Sequence, residues 1–478
     1  MLQLRLDEST PLPLYRQLYN QLRTQILDGR LASGSRLPST RTLAGQLGVA
    51  RVTVKQAYEQ LIAEGYVISR PGAGTYVVES LPAPLPREEP FRPHLSPWGQ
   101  RVARVGSRRR TGQRTLPADF IDFGFGRSFP HIFPYDVWRR LLARYLSTDD
   151  VMLSRYGSVA GFEPLRAAIA SYLRRWRGVR CAPEQVVIVN GVQQALDILA
   201  RLLLRRGDSV LVENPGYTDA YALFRVHGAN LVPLPVDDHG FPVEAIPPEL
   251  EARVAFVTPA NQFPRGGAMP LARRLALLRW AQEQEALVLE DDYDGALRYA
   301  ERPLAALQGL DQRGHVLYLG SFSKVLFPAL RLGYVVLPQA LLKPFIQAKG
   351  IVDRGAPTLT QAAVADFITE GHFDRHLRRL RRVYGRRRRI LAGALQSELP
   401  CAVTFSAEPA GLHIMLNLPA DYDEAKIVRD AATAGVGVYR GATYHLQPDP
   451  PPSILLGFSG LNEQQLREGV RRLASVLC

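Results

Sequence analysis

The chain has 478 residues and a net charge of +14, room for about three folding units and enough positive charge to suit a polyanionic partner. Its 46% hydrophobic content is that of an ordinary globular protein rather than a disordered one, and no apolar run approaches the ~20 residues that cross a bilayer. Cys181, Cys401 and Cys478 lie far apart without metal-ligand spacing, so no metal is expected and a reducing cytoplasm suits them; the opening MLQLRLDEST lacks the basic, apolar, small order of a secretion signal.

Residues 1–80 read as a small helical unit ending in two strands. Ser39 follows a proline and precedes the helical pattern of Leu43 and Leu47, the position of an N-cap. Gly48 ends that helix. A second helix follows, with Val52, Val54, Ala57, Tyr58, Leu61 and Ile62 on a 3.6-residue period. Two helices joined by a glycine-bearing turn make a helix-turn-helix. Arg51, Thr53 and Lys55 open the second helix, the end that meets base edges and phosphates in a recognition helix. YVISR and GTYVV, set around Pro71 to Gly74, read as a hairpin. A plain helical domain with exposed basic residues would share the first features; the hairpin adds a wing. From Pro11 to Val78 the sequence resembles the GntR-type winged helix, including PLYRQLYNQLRTQILDGRL and the P-S-x-R-x-L-A element. The resemblance implies contacts to double-stranded DNA from Ser39, Arg41, Arg51, Thr53 and Lys55, with the wing near Gly72 in the minor groove.

Residues 81–118 change texture. Pro82, Pro84, Pro86, Pro90, Pro93, Pro97 and Pro117 punctuate them, and Arg108 to Arg110 crowd their end. Proline fixes φ and removes backbone donors, so a semi-extended linker is expected, long enough to set the first domain against a neighbouring subunit.

Residues 119–478 read as α/β. The runs VVIVN from Val186, SVLVE from Ser209, NLVPLPV from Asn230, VAFVTP from Val254, LVLEDD from Leu287, VLYLGS from Val316 and GYVVLP from Gly333 are apolar on both faces. Buried strands of a mostly parallel, seven-stranded sheet have that texture. A smaller C-terminal α+β part follows, with TFSAE, GLHIMLNL and SILLGFS.

Four segments of this domain carry chemistry. GSFSKVLFPALRLGY, from Gly320, follows a strand and sets Lys324 among Ser321, Ser323 and Arg331. Hydroxyls and an arginine suit a phosphate, and a lysine beside it can form a Schiff base with an aldehyde. NGVQQALDIL, from Asn190, runs from strand to helix through Gly191, an anion site built of amides. EDDYDG, from Glu290, puts carboxylates at a strand's C-terminal end, where ligands bind in open α/β sheets. ENPGYTDAY, from Glu213, offers Tyr217 as an aromatic platform. Each segment alone also fits a structural role.

In this order the segments resemble fold-type I aminotransferases over roughly Asp119 to Cys478. The resemblance implies pyridoxal 5'-phosphate (PLP) as cofactor, with Lys324 as the catalytic, Schiff-base lysine. It implies Asp291 at the pyridine nitrogen, with Asp292 as the second choice, Tyr293 at the ring hydroxyl and Tyr217 on the ring face. Gly191, Val192, Gln193, Ser321, Ser323 and Arg331 then surround the phosphate. Tyr156, in SRYGSVAGFEPLR, matches the tyrosine that a dimer partner lends to the phosphate; its alternative is a packed aromatic at a helix start. Both halves together resemble the MocR family, GntR-type winged helices fused to aminotransferase-like domains and assembled as head-to-tail homodimers. TPANQFPRGGAM from Thr258 and LLGFSG from Leu455 share that likeness.

Three departures stand out. The substrate-carboxylate arginine of the R-[LI]-x-F-[SA] setting is missing, with Gly457 read in its place; Arg127 and Arg440 are candidate substitutes. Asn261, among the cofactor-side residues, stands where relatives commonly have histidine, and Arg265 where they have threonine. The run HFDRHLRRLRRVYGRRRR from His372 to Arg389 is densely basic, a solvated helix face or a contact to DNA phosphates. The reading is a PLP-dependent DNA-binding transcriptional regulator that senses PLP or an amine reacting with it, with control of vitamin B6 synthesis as the pathway. The alternatives are a working aminotransferase with an autoregulatory DNA-binding domain, and a DNA-binding protein with a cofactor-free second domain.

Overall fold

A computed structural model of the chain describes residues 4–79, 93–105, 117–126, 132–146, 154–299, 304–400, 402–406 and 408–477. They form two units, Met1–His94 and Leu95–Cys478.

The first unit contains α1 (Leu14–Leu27), α2 (Thr40–Leu47), α3 (Arg51–Ala63), β1 (Val67–Arg70) and β2 (Gly74–Val77). Ser39 Oγ accepts from Thr42 N–H at 3.1 Å and caps α2, and Gly48 closes it at φ 68°. The hairpin pairs Val67 with Val77 and Arg70 with Gly74. α3 buries Val54, Ala57, Tyr58 and Leu61 against Leu18, Leu22 and Leu43, the i, i+3, i+4, i+7 stripe of one helical face. Val52 and Ile62, expected on that face, are 58% and 39% exposed. At 100° per residue, Val52 falls opposite Val54 and Ile62 at the stripe's edge.

The second unit opens with a departure from the linker expectation. Ser96 Oγ accepts from Gly99 N–H and starts α4 (Pro97–Arg104); proline in the first turn of a helix lacks only an N–H that has no partner there. Linker residues 81–92 and 106–116 lie outside the described residues. β3 (Ile121–Asp122), α5 (Tyr135–Leu146) and α6 (Glu163–Arg177) lead into the large sheet. Its strands and helices are β4 (Val186–Val189), α7 (Val192–Leu203), β5 (Ser209–Asn214), α8 (Thr218–His227), β6 (Asn230–Pro235), β7 (Val254–Val257), α9 (Leu271–Glu283), β8 (Leu287–Asp292), β9 (Val316–Ser321) and β10 (Gly333–Val336). The seven strands lie in the order β4-β10-β9-β8-β7-β5-β6. β10 runs antiparallel to both neighbours, and the other pairs are parallel. Val186 and Ile188 pack into one core while Val187 and Val189 pack into another, because successive strand residues face opposite sides of the sheet. Both faces of the inner strands are covered, which is why those runs are apolar throughout; β6, at the sheet edge, departs from the expectation of a buried strand, with Asn230, Pro233 and Pro235 exposed.

α10 (Gln339–Asp353), α11 (Thr358–Thr369) and α12 (His372–Glu398) follow. The C-terminal part holds β11 (Thr404–Phe405), β12 (His413–Asn417), α13 (Glu424–Thr433), β13 (Val436–Gly437), β14 (Tyr439–Arg440), β15 (Ser453–Gly457) and α14 (Glu463–Leu477). Its sheet has the order β11-β12-β15-β14, and β13 pairs with β3.

Candidate functional site

The C-terminal ends of β4, β8 and β9 bring most of the expected residues of the second unit together. Beyond β4, Gly191 adopts φ 90°, a conformation open to glycine at little cost. A Cβ there would sit 3.0 Å from Arg331 Nη2. Arg331 Nη2 donates to Asn190 O at 3.3 Å, so its guanidinium lies against the first turn of α7, where Val192 and Gln193 are. Gln193 Nε2 donates to Asp219 O, while its Oε1 is buried without a partner. Ser321 ends β9, and its Oγ accepts from Ser323 N–H at 3.1 Å. Amides at a helix N-terminus, hydroxyls and a guanidinium are the donors an anion requires.

Sequence reasoning missed what fastens this turn. Asp353 accepts from Lys349 Nζ at 2.9 Å, Asn190 Nδ2 at 3.0 Å, Gln194 Nε2 at 2.7 Å and Gly355 N–H at 2.8 Å. No local pattern could mark a carboxylate that reaches Asn190 across 163 residues.

Lys324 follows β9 and is half-buried. Its Nζ lies 4.3 Å from the centroid of the Phe125 ring and 2.7 Å from where a Cβ on Gly126 would be. Asp291, near the end of β8, is 5% exposed, and its Oδ1 has no hydrogen-bond partner. Burial, with the charges of Asp292 and Glu213 adding to it, pushes the Asp291 carboxyl up to about 7; Lys324 opposes the rise. Asp292 faces the other side of the sheet. Its Oδ2 accepts from Arg177 Nε at 2.7 Å and from the Tyr318 hydroxyl, and its Oδ1 from Gly295 N–H. Asp292 is therefore committed to a buried ion pair, and of the two only Asp291 has an unbonded oxygen.

Asn261 Nδ2 donates to Tyr293 Oη at 3.0 Å and to both oxygens of Asp294. Burial holds the Tyr293 phenol well above its ordinary range, and Asp294 adds to the effect. Phe263, a second residue the sequence did not flag, joins the group: its ring centroid is 5.6 Å from Tyr293, 6.2 Å from Tyr217 and 5.3 Å from Phe125. Glu213 holds the loop that carries Asn261 and Phe263 by accepting from Thr258 N–H and Oγ1 and from Gln262 Nε2. Tyr156 stands apart. It is 85% exposed, which rules out the packed helix-start alternative within the single chain.

The departures resolve unevenly. Laid on Leu455 to Ser459, the R-[LI]-x-F-[SA] pattern puts Leu455, not Gly457, in the arginine's place. Leu455 is fully buried opposite Met415. A Cβ on Gly457 would lie 2.7 Å from Gly124 O, so no side chain fits at that position and the expectation for Gly457 is corrected. Arg440 Nε donates to Glu424 at 2.9 Å, and Arg127 lies outside the described residues. Arg265 donates to Val236 O and Asp238. Among the described residues no cluster of side chains could hold a metal, and no helix is long and apolar enough to cross a membrane.

In the first unit, Arg51 Nε donates to Thr40 Oγ1 at 3.3 Å, which joins the N-terminal ends of α2 and α3. Ser39 and Arg41 thus share one end of the unit with Arg51, Thr53 and Lys55. Arg41, Arg51 and Lys55 are exposed and Thr53 is half-buried; Lys55 pairs with Glu59 at 3.5 Å. Gly72 sits at the hairpin tip with φ 73° and open space around it.

Comparison with known proteins adds the family. Residues 14–77 match the gntR family of bacterial regulatory proteins, and residues 121–473 match aminotransferase class I and II. The chain is 40% identical to the probable rhizopine catabolism regulatory protein MocR of Rhizobium meliloti, over 98% of this chain and 95% of that one. It is 31% identical to the pyridoxine biosynthesis transcriptional regulator PdxR of Corynebacterium glutamicum, over 98% and 96%. Among solved structures it is similar to LysN, the α-aminoadipate aminotransferase of Thermus thermophilus, complexed with N-(5'-phosphopyridoxyl)-L-leucine (31% identity, TM-score 0.72, 79% of this chain and 96% of that one). The aminotransferase class I and II fold is that of a PLP-dependent family. With a DNA-binding GntR domain joined to such a domain along its whole length, the chain belongs to the MocR family of HTH-type transcriptional regulators.

Proposed function

We propose that this regulator carries PLP on Lys324 and reports the state of that cofactor, or of an amine that reacts with it, to its DNA-binding unit. Bound there, the cofactor supplies an aldehyde that condenses with amines and a pyridine ring that withdraws electrons. The observation that carries the reading is Asp291. A buried carboxyl oxygen without a hydrogen-bond donor is costly unless a ligand brings one, and a protonated ring nitrogen is such a donor.

The other residues fit the same group. Gly191, Val192, Gln193, Ser321, Ser323 and Arg331 hold the phosphate. Tyr293, oriented by Asn261, holds the ring hydroxyl. Tyr217 and Phe263 close on the ring, and Lys324 presents its amine from beside Phe125. The chain acts as a head-to-tail homodimer in which Tyr156 serves the partner's phosphate, consistent with its exposure. In the DNA-binding unit, Ser39, Arg41, Arg51, Thr53 and Lys55 read the duplex, and the wing at Gly72 enters the minor groove.

A route between cofactor and linker supports sensing. α7 begins at the phosphate side, and Arg201 near its other end lies over Trp98 of α4 at 6.0 Å. Arg101 of α4 donates to Val226 O of α8 at 2.6 Å. Leu455 in the place of the carboxylate-binding arginine favours PLP itself as effector and disfavours the working-aminotransferase reading. Likeness to PdxR points the same way, to control of vitamin B6 synthesis.

The test is to add PLP to the cofactor-free protein and pass it through gel filtration. Wild type should keep a visible absorbance band, and Lys324→Ala should lose it. A protein that stays colourless would overturn the reading. Loss of the band on adding one class of amine would make that amine, rather than PLP, the effector.

A further inference from the structure

The basic run of α12 is split between two jobs. Arg381, Arg387 and Arg388 point inward and donate to the carbonyls of Ala296, Ser459 and Ser406 at 2.7, 2.7 and 2.8 Å. These three tie the helix to the rest of the unit. Arg375, Arg378, Arg379, Arg382, Arg386 and Arg389 are exposed. Arg375 donates to Glu370 O and meets His372, and Arg386 pairs with Glu463 at 2.7 Å.

Arg378, Arg382 and Arg389 have no ion-pair partner among the described residues. At 100° and 1.5 Å per residue they fall within about 40° of one another along about 16 Å of helix. The acid nearest in sequence, Asp374, is taken by Arg175 at 2.8 Å. Like charges at i, i+4, such as Arg378 with Arg382, destabilise a helix. An ordinary solvated face relieves this with interleaved acids; this one does not. A self-repelling stripe with no internal partner calls for an external anion.

We propose that the outward face of α12, centred on Arg378, Arg382 and Arg389, is a second, sequence-independent contact surface for the phosphate backbone of DNA flanking the operator. The proposal rests on the family's DNA binding, which supplies the anion: a duplex held by the GntR domain keeps phosphates at high effective concentration near the rest of the same chain. Duplex DNA carries one charge per about 1.7 Å of axis, so a stripe of this length faces several phosphates at once.

The experiment uses the full-length protein with the duplex upstream of its own gene. One form is trimmed to the minimal bound site, and the other is extended by several helical turns on each side. Wild type should bind the extended duplex more tightly, with a steeper fall of log K against log salt. Arg378→Gln, Arg382→Gln and Arg389→Gln combined should flatten that slope by about 2 to 3 on the extended duplex, from ~0.9 per phosphate contact, and leave the minimal duplex unaffected. The corresponding triple change to Glu should go further in the same direction. An unchanged slope on the extended duplex overturns the proposal. So does an equal loss on both duplexes, which would assign the arginines to the general field of the protein. Failure of wild type to bind either duplex overturns the DNA-binding reading itself, and this proposal with it.

Discussion

Asp291 and Asp292 are neighbours in sequence, yet the sheet gives them opposite environments, and substitution should separate them. Asp292→Ala strands Arg177, which is 1% exposed, and removing one partner of a buried pair costs about 3–5 kcal/mol. Asp291→Asn removes no hydrogen bond from Oδ1 and should leave denaturant stability nearly unchanged at about pH 4, below the range in which the carboxyl titrates, while weakening PLP retention about tenfold. Urea unfolding and PLP titration of the two variants check this; equal destabilisation would contradict the assignment. Titration gives a second check. The Asp291 carboxyl is raised from its ordinary 3.8 to about 7. A group raised in the folded state adds stability that is complete below its ordinary value and lost as pH climbs through the folded one. In the cofactor-free protein, the Tm of wild type minus that of Asp291→Asn should therefore fall between about pH 4 and pH 8. Glu213 and Glu290, both pushed up to about 7 by burial, act in both proteins and largely cancel. With PLP bound, a protonated ring nitrogen should keep Asp291 charged and remove that fall.

At the scale of elements, the strand runs were legible because all but the edge strand β6 are apolar on both faces, and three of them lead to residues with chemistry, Asn190, Asp291 and Ser321. The winged helix was legible through its cap and its glycines, with Ser39 bonding Thr42 as its position implied. Ser39→Ala should cost about 1 kcal/mol of stability in that unit, measured by thermal melting. Arg51→Ala should instead leave the melt alone, weaken discrimination by about 1–3 kcal/mol and relax specificity at one base pair, measured by binding to operator variants. The sequence could not reveal features that depend on approach across the fold. Phe263 matters because five rings meet it, those of Phe125, Tyr217, Tyr293, His413 and Tyr444, and Asp353 because it holds Asn190 and Gln194 from a distant helix. Gly457 was misread as the place of the missing arginine by a slip of register, since Phe458 and Ser459 already fix that place at Leu455; what the chain itself cannot show is the close backbone approach of Gly124 that keeps 457 a glycine. α4 was hidden by the prolines around it, although Pro97 starts the helix.

For the whole molecule, assembly and signalling carry the remaining tests. Tyr156 and Ile351, 85% and 88% exposed, lie on segments that run close together, since a Cβ on Gly350 would sit 3.7 Å from Val159. On the homodimer reading both are covered by the partner. Ile351→Lys should shift the protein towards monomer in analytical ultracentrifugation, and Tyr156→Ala should weaken PLP retention without changing the mass; monomeric wild type would contradict the dimer. Sensing requires more than cofactor binding. A ligand shifts an equilibrium only by its differential affinity for the two states, so PLP must bind the DNA-competent and incompetent arrangements unequally. The most direct measurement is the affinity of the full-length protein for the DNA upstream of its own gene, at fixed salt, with and without PLP, for wild type and Lys324→Ala. PLP should change the affinity of wild type and not that of the variant. Identical affinities with and without PLP in the wild type would contradict it.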